Sequence, residues 1–240
     1  MLTNVYLQSE VNDSFVSDNL REFLISISHV KPVKKNHYIF HEGSDANSLF
    51  IVKSGLVRIS KITKDGKEMI LRICKEGDLF GELALFSDDP KYMLSAKALD
   101  YGEIYVAEKD ELETGLMCNS KLTYDYMKWM NNHLRKYQSK IRDLVFIGKK
   151  GALYSTLIRL SNSFGTEHDE GIFIDIKLTN RDLAKFCVTA RESINRMLSE
   201  LRKLDVIEMS DDGHIIIKDL QYLRDEIGCE NCPIGICNIN

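Results

Sequence analysis

No run of apolar residues in this 240-residue chain approaches the roughly 20 needed to cross a bilayer. The first thirty residues, MLTNVYLQSEVNDSFVSDNLREFLISISHV, lack the basic segment and apolar stretch of a secretory signal. These absences exclude a membrane-spanning protein and point to a cytoplasmic one. Thiols stay reduced there, so cysteines clustered in sequence read first as metal ligands or redox sensors, not as disulfides. There is no phosphate-binding glycine loop, no nucleophile motif and no pair of carboxylates at catalytic spacing, which argues against an enzyme. Internal repeats and low-complexity tracts are missing as well. An excess of positive charge is also missing, since the net charge is −4, and this disfavours bulk binding of nucleic acid.

What is present is ordinary for a globular chain of one or two domains, with 44% hydrophobic and 28% charged residues. The basic residues are unevenly spread. Lys128 to Lys150 holds seven against the single acid Asp143, and Thr179 to Leu204 holds six against three. Such segments suit either a chain that touches DNA with one face or plain solvated helices.

Residues 30–110 read as short strands. Apolar stretches such as SLFIVKSGLVRIS and MILRICKEGDLF are separated by Gly43, Gly55, Gly66 and Gly77, eleven or twelve residues apart. TKDG at 63–66 is a hairpin turn, and the pattern predicts an antiparallel sandwich or jelly roll. From Lys109 to Phe146 there is no proline, and Leu122, Tyr126, Trp129, His133 or Leu134, Tyr137, Ile141 and Leu144 recur by threes and fours. That is a long amphipathic helix, and its stripe is expected to meet a second copy of itself as well as the chain's own sandwich. Helix, strand, two short helices and a hairpin with DDG at its tip then describe a winged helix-turn-helix. The fold expected is α+β. Its parts are a sensor roll over 1–110, a dimerisation helix over 111–148, a DNA-binding module over 149–220 and a tail over 221–240.

Thr179 is placed to cap the first short helix, with Asp182 three residues on, and Thr189 to cap the second, with Glu192 three residues on. The second helix then presents Arg191, Glu192, Asn195 and Arg196, with Ile194, Met197, Leu198 and Leu201 on its buried side. Arginine bonds guanine bidentately and glutamate accepts from cytosine, so this face suits double-stranded DNA. The tail reads CENCPIGICNIN. Cys229, Cys232 and Cys237, with Pro233 barring a helix, can grip one face of an iron–sulfur cluster or supply three of four zinc ligands. No histidine lies near the tail, and Cys74, Cys118 and Cys187 read as core residues.

GELALF at 81–86, the long helix and TARESINRMLSELRK at 189–203 resemble the cyclic-AMP receptor and Fnr superfamily of bacterial transcription regulators over residues 20–220. The resemblance implies a homodimer that reads a TGTGA-type palindrome through Arg191, Glu192 and Arg196. It also implies contact with RNA polymerase, for which the acidic loop Asp88–Asp89 is the candidate. Members that bind cyclic nucleotides hold the phosphate with an arginine where this chain has Leu94, so cyclic-nucleotide sensing is not expected. CENCP…C resembles the Fnr branch of Bacillus and its relatives, which carries one [4Fe–4S] cluster per subunit at the C-terminus and responds to oxygen. That branch implies Asp143 as fourth ligand, with Asp225, Glu226 and Glu230 as rivals. The alternative is a small-ligand-responsive regulator whose tail holds a structural zinc.

Overall fold

The computed structural model describes residues 16–82 and 85–240. Part of the expected signal-free N-terminal stretch, and Leu83 and Ala84 of the GELALF motif, lie outside these. A short helix α1 (Asp18–Ser26) leads into strands β1 (Ser28–Val33), β2 (Tyr38–Phe40), β3 (Ser48–Ser54), β4 (Val57–Ile62), β5 (Glu68–Cys74), β6 (Leu79–Phe80), β7 (Ser95–Ala98) and β8 (Gly102–Glu108). They form two antiparallel sheets, ordered β1-β8-β3-β6 and β2-β7-β4-β5. The Asp65-Gly66 turn joins β4 to β5 as expected, with Gly66 at φ +80° and Thr63 and Lys67 bonded across it. Between the sheets Phe40, Phe50, Phe80 and Tyr92 stack on one another.

The long helix is broken once. Helix α2 (Lys109–Cys118) ends at Asn119, whose side chain accepts from the amides of Lys121 and Leu122 and so starts α3 (Ser120–Phe146). Helix α3 carries two apolar stripes, not one. Leu122, Tyr126, Trp129 and His133 are buried against α1, α2 and the roll of the same chain. Tyr124, Met127, Leu134, Ile141 and Val145 are each more than half exposed, and with the exposed Asn131 and Gln138 they repeat by threes and fours. The stripe read from the sequence as the seam between copies therefore mixes the two faces. Only Leu134 and Ile141 of it lie on the open one.

Helix α4 (Gly148–Phe164), α5 (Asn180–Phe186) and α6 (Arg191–Lys203) pack on a sheet ordered β11-β12-β10-β9. Its strands are β9 (Gly165–His168), β10 (Gly171–Ile174), β11 (Ile207–Met209) and β12 (Ile215–Ile217). A further helix, α7 (Leu220–Glu226), was not foreseen. Asp219 caps it and Leu223 is buried in the winged core, so it belongs with that module and the tail begins after it. Ile70 and Ile73 of β5 are buried in the same cluster, which joins the roll to the winged helix. Lys185 and Arg58 converge on Glu68 at 2.7 and 3.0 Å and strengthen that join.

One polar cluster sits inside the roll. Arg72 of β5 donates from Nη1 to Glu82 (3.1 Å) and to the Nε2 of His133 (2.5 Å), and from Nη2 to the Leu79 carbonyl (2.9 Å). All three side chains are buried. Burial, and then the Arg72 charge, push the His133 imidazole from its ordinary 6.5 down to about 4, so the folded ring is neutral. An unfolded imidazole takes its proton near pH 6.5 and the folded one only near pH 4. The unfolded state binds more protons in that window, so stability is whole above it and falls as pH drops through it. The expected loss is about 3 kcal/mol. Urea midpoints at pH 7 and 4.5 check it, and His133→Gln should show a flatter profile if it folds comparably at pH 7.

Candidate functional site

Thr179 caps α5 with the reciprocal box the sequence suggests: its Oγ1 accepts from the Asp182 amide (3.1 Å), and Asp182 accepts from the Thr179 amide (3.1 Å). The expected cap by Thr189 is absent. Val188 turns the chain at φ +48°, Ala190 takes the extended cap conformation, and α6 starts at Arg191 with no side-chain cap. The Thr189 hydroxyl is buried without a bonding partner among the described residues, and its amide donates to the Ala184 carbonyl (3.0 Å). Helix α6 buries Ile194, Met197, Leu198 and Leu201 and leaves Arg191, Glu192, Asn195 and Arg196 exposed on the opposite side. Asn195 accepts from Asn180 (2.5 Å), which ties the first helix to the second at the exposed face. Arg191, Asn195 and Arg202 line an open cleft beside it.

Part of the basic run of α3 and α4 is spent inside the chain, while Lys128, Arg135 and Lys149 stay exposed. Lys140 donates to the carbonyls of Ile70 and Leu71 (3.1 and 2.7 Å), Lys136 to that of Asn240 (3.0 Å), and Lys150 to Glu226 (3.0 Å). These cations hold the chain to itself, and so are not free for a phosphate backbone.

The tail is a docked loop, not a loose end. Gly228 and Asn231 at φ +57° and +51° curl it past α7, and the Pro233 carbonyl accepts from the amides of Ile236 and Cys237 (2.8 and 2.9 Å). Arg159 of α4 donates to the Ile236 carbonyl (3.1 Å), and Asn162 to that of Cys237 (2.6 Å). The Ile73 amide of the roll donates to the Ile239 carbonyl (3.2 Å), and Asn240 donates to Asp78 (3.1 Å). Ile236 and Ile239 are buried. The segment carrying the cysteines therefore touches the roll, α3 and α4 together.

Cys229, Cys232 and Cys237 are free thiols at intermediate burial. Burial pushes the Cys237 thiol up, and the Arg159 charge offsets part of this. Asp143 is almost wholly buried, and both its oxygens are engaged. Oδ2 accepts from Ser155 (2.5 Å) and Arg159 (2.8 Å), and Oδ1 from Arg142 Nε and Nη2 (3.1 and 2.9 Å). Arg142 also bonds Glu230, which lies between the first two cysteines. Among the described residues no three His, Cys, Asp or Glu side chains stand ready to hold a metal ion. Sequence reasoning missed Arg159 and Ser155 around this carboxylate. No local pattern announces partners on a following helix.

A cavity of about 30 Å³ lies under Glu82, Tyr92, Leu94 and Tyr137 in the roll. Small-molecule pockets usually measure about 300 to 1,000 Å³. Leu94 packs on the roll core where a phosphate-binding arginine would stand, and Lys91 pairs at the surface with Asp45.

A β roll, a long helix with an open apolar stripe and an exposed recognition helix define a transcription regulator, and comparison with known proteins agrees. Residues 30–117 match the family model described as cyclic nucleotide-binding domain, and residues 151–226 that of the Crp-like helix-turn-helix domain. The chain belongs to the Crp/Fnr family of transcription regulators. It is 56% identical to the anaerobic regulatory protein of Bacillus subtilis over 98% of its own length and 99% of that protein's. The lactate racemization regulatory protein of Lactiplantibacillus plantarum is 31% identical over 86% of this chain and 96% of its own. The structure of FixK2 from Bradyrhizobium japonicum shares the fold at a TM-score of 0.72, with 18% identity over 83% of this chain and 96% of that one. No helix among the described residues is long and apolar enough to cross a membrane.

Proposed function

We propose that the chain is a homodimeric, oxygen-responsive DNA-binding regulator whose tail cysteines carry a [4Fe–4S] cluster, one per subunit. The observation that carries this reading is the docked tail. The loop that carries the three half-buried thiols joins the sensor roll to the helices of the DNA-binding module, and Arg159, which bonds that loop at Ile236, also bonds the buried carboxylate of Asp143. The donor set fits the group: thiolates are the usual holders of iron–sulfur clusters, and no histidine lies near the tail to complete a zinc site. Cys229, Cys232 and Cys237 would hold the cluster, with Asp143 as the fourth ligand that the sequence resemblance implies. The cluster supplies sensitivity to oxygen when bound. The chain's own residues supply the link, because Arg159, Asn162 and Ile73 bond the backbone on either side of Cys237. The relative named for anaerobic regulation supports the same reading. The small cavity in the roll supports a sensor that does not use a cyclic nucleotide.

The exposed stripe of α3 suits a second copy. Tyr124, Met127, Leu134, Ile141 and Val145 follow coiled-coil spacing, and the polar Asn131 and Gln138 between them would fix its register. Leu134→Lys is expected to shift the protein from dimer to monomer in sedimentation while leaving the intrachain face of α3 intact.

The test of the function is DNA binding by protein purified without oxygen, measured on a duplex carrying two TGTGA half-sites one helical turn apart. Selective binding that weakens after exposure to air is expected. Binding that ignores both sequence and air would overturn the reading. In the same assay Arg196→Ala should lose discrimination of about 1–3 kcal/mol at one base pair of each half-site. A uniform loss on all sequences would instead assign Arg196 to phosphate. RNA polymerase is the further partner proposed, with the exposed loop at Asp88 and Asp89 as its contact.

A further inference from the structure

The two oxygens of Asp143 are held very differently. Oδ2 is fixed by the buried Arg159 and by Ser155, and Arg159 also bonds Ser155, Ser139 and the Ile236 carbonyl, so this half of the carboxylate is built into α4 and the tail. Among the described residues Oδ1 is held by Arg142 alone, whose side chain is 32% exposed. Arg142 has a second acceptor within reach: its Nη1 already bonds Glu230, which is 65% exposed and sits on the cysteine loop.

We infer that Arg142 and Glu230 act as a positioning pair that exposes Oδ1 of Asp143 for iron, an inference that rests on the reading of Asp143 as the fourth ligand. Two N–H donors on Oδ1 occupy the lone pairs an iron ion would need. When Arg142 turns fully to Glu230, Oδ1 loses both bonds and is free to ligate. Arg142 keeps a carboxylate partner, and Oδ2 stays fixed so that the ligand does not rotate away. Glu230, already bonded to Arg142 of α3, would then tie the loop between Cys229 and Cys232 to that helix.

The test compares Glu230→Gln, Arg142→Gln, the double variant and Asp143→Asn as full-length proteins purified without oxygen. The readouts are iron and sulfide per chain, the rate of bleaching at a fixed oxygen concentration, and the Mössbauer signature of the non-thiolate iron. Glu230→Gln strands Arg142 on Oδ1, and about tenfold faster bleaching with an altered signature is expected, in line with other outer-shell changes. Adding Arg142→Gln should abolish that effect, because the competitor is gone. A bleaching rate for Glu230→Gln equal to wild type, or an equal loss with and without Arg142→Gln, overturns the proposal, and the second result would make Glu230 itself the ligand. Asp143→Asn with unchanged iron, bleaching and signature would instead sink the ligand reading beneath it. Glu230 is exposed, so its substitution leaves the fold intact.

Discussion

Replacing Cys232 by alanine is expected to remove the iron–sulfur cluster entirely and leave the fold standing. The thiol is only half-buried, and the backbone bonds that dock the tail come from Ile236, Cys237, Ile239 and Asn240. A cluster with two thiolates in place of three loses a bond that neither water nor a neighbouring carboxylate replaces well. Acid-labile sulfide should fall to background, while circular dichroism and the urea midpoint match those of the metal-free wild type. Cys237→Ala should give the same loss of sulfide, with a lower midpoint as well, because Cys237 packs against the winged core. Full iron and sulfide in the Cys232 variant would contradict the assignment.

The second large effect concerns stability. Glu82→Ala leaves Arg72 buried with no carboxylate, and breaking a buried pair by removing one partner costs about 3–5 kcal/mol. Burial works against the Glu82 carboxylate, but the His133 ring and the Arg72 guanidinium outweigh it and hold its pKa down at about 2. The pair therefore stays charged at neutral pH. A chemical-denaturation midpoint checks the size of the loss. The double change Arg72→Met with Glu82→Leu should recover most of it, because two apolar groups of similar volume need no partner. A loss below about 1 kcal/mol in the single variant would show that Arg72 is solvated by other means.

The roll, the winged helix and the exposed face of α6 were legible because each rests on a local pattern. Asp-Gly announces its hairpin, Thr179 and Asp182 announce a capping box, and Ile194, Met197, Leu198 and Leu201 announce which side of α6 is inside. The misreadings share a physical cause. The Thr189–Glu192 spacing satisfies the cap pattern, but the left-handed turn at Val188 sets where α6 begins, and spacing carries no backbone angles. On α3 a single helical period hides two faces, since Leu122, Tyr126 and Trp129 find partners inside the chain and Tyr124 and Met127 do not. The cysteine loop stood out in the sequence as a candidate ligand set. Its docking did not, although Ile236 and Ile239 are unusual residues for a free tail and were the available signal. The carboxylate network reaches Asp143 from Ser155 and Arg159, more than ten residues on, through the packing of α4 on α3.

The central claim is that the tail carries an iron–sulfur cluster coupled to DNA binding. It is tested most directly by iron, sulfide and zinc content, with a visible spectrum, on protein purified without oxygen. The account predicts about four iron and four sulfide per chain, with a broad absorption that bleaches in air as DNA affinity falls. One zinc per chain with no sulfide would contradict it and make the tail a structural staple.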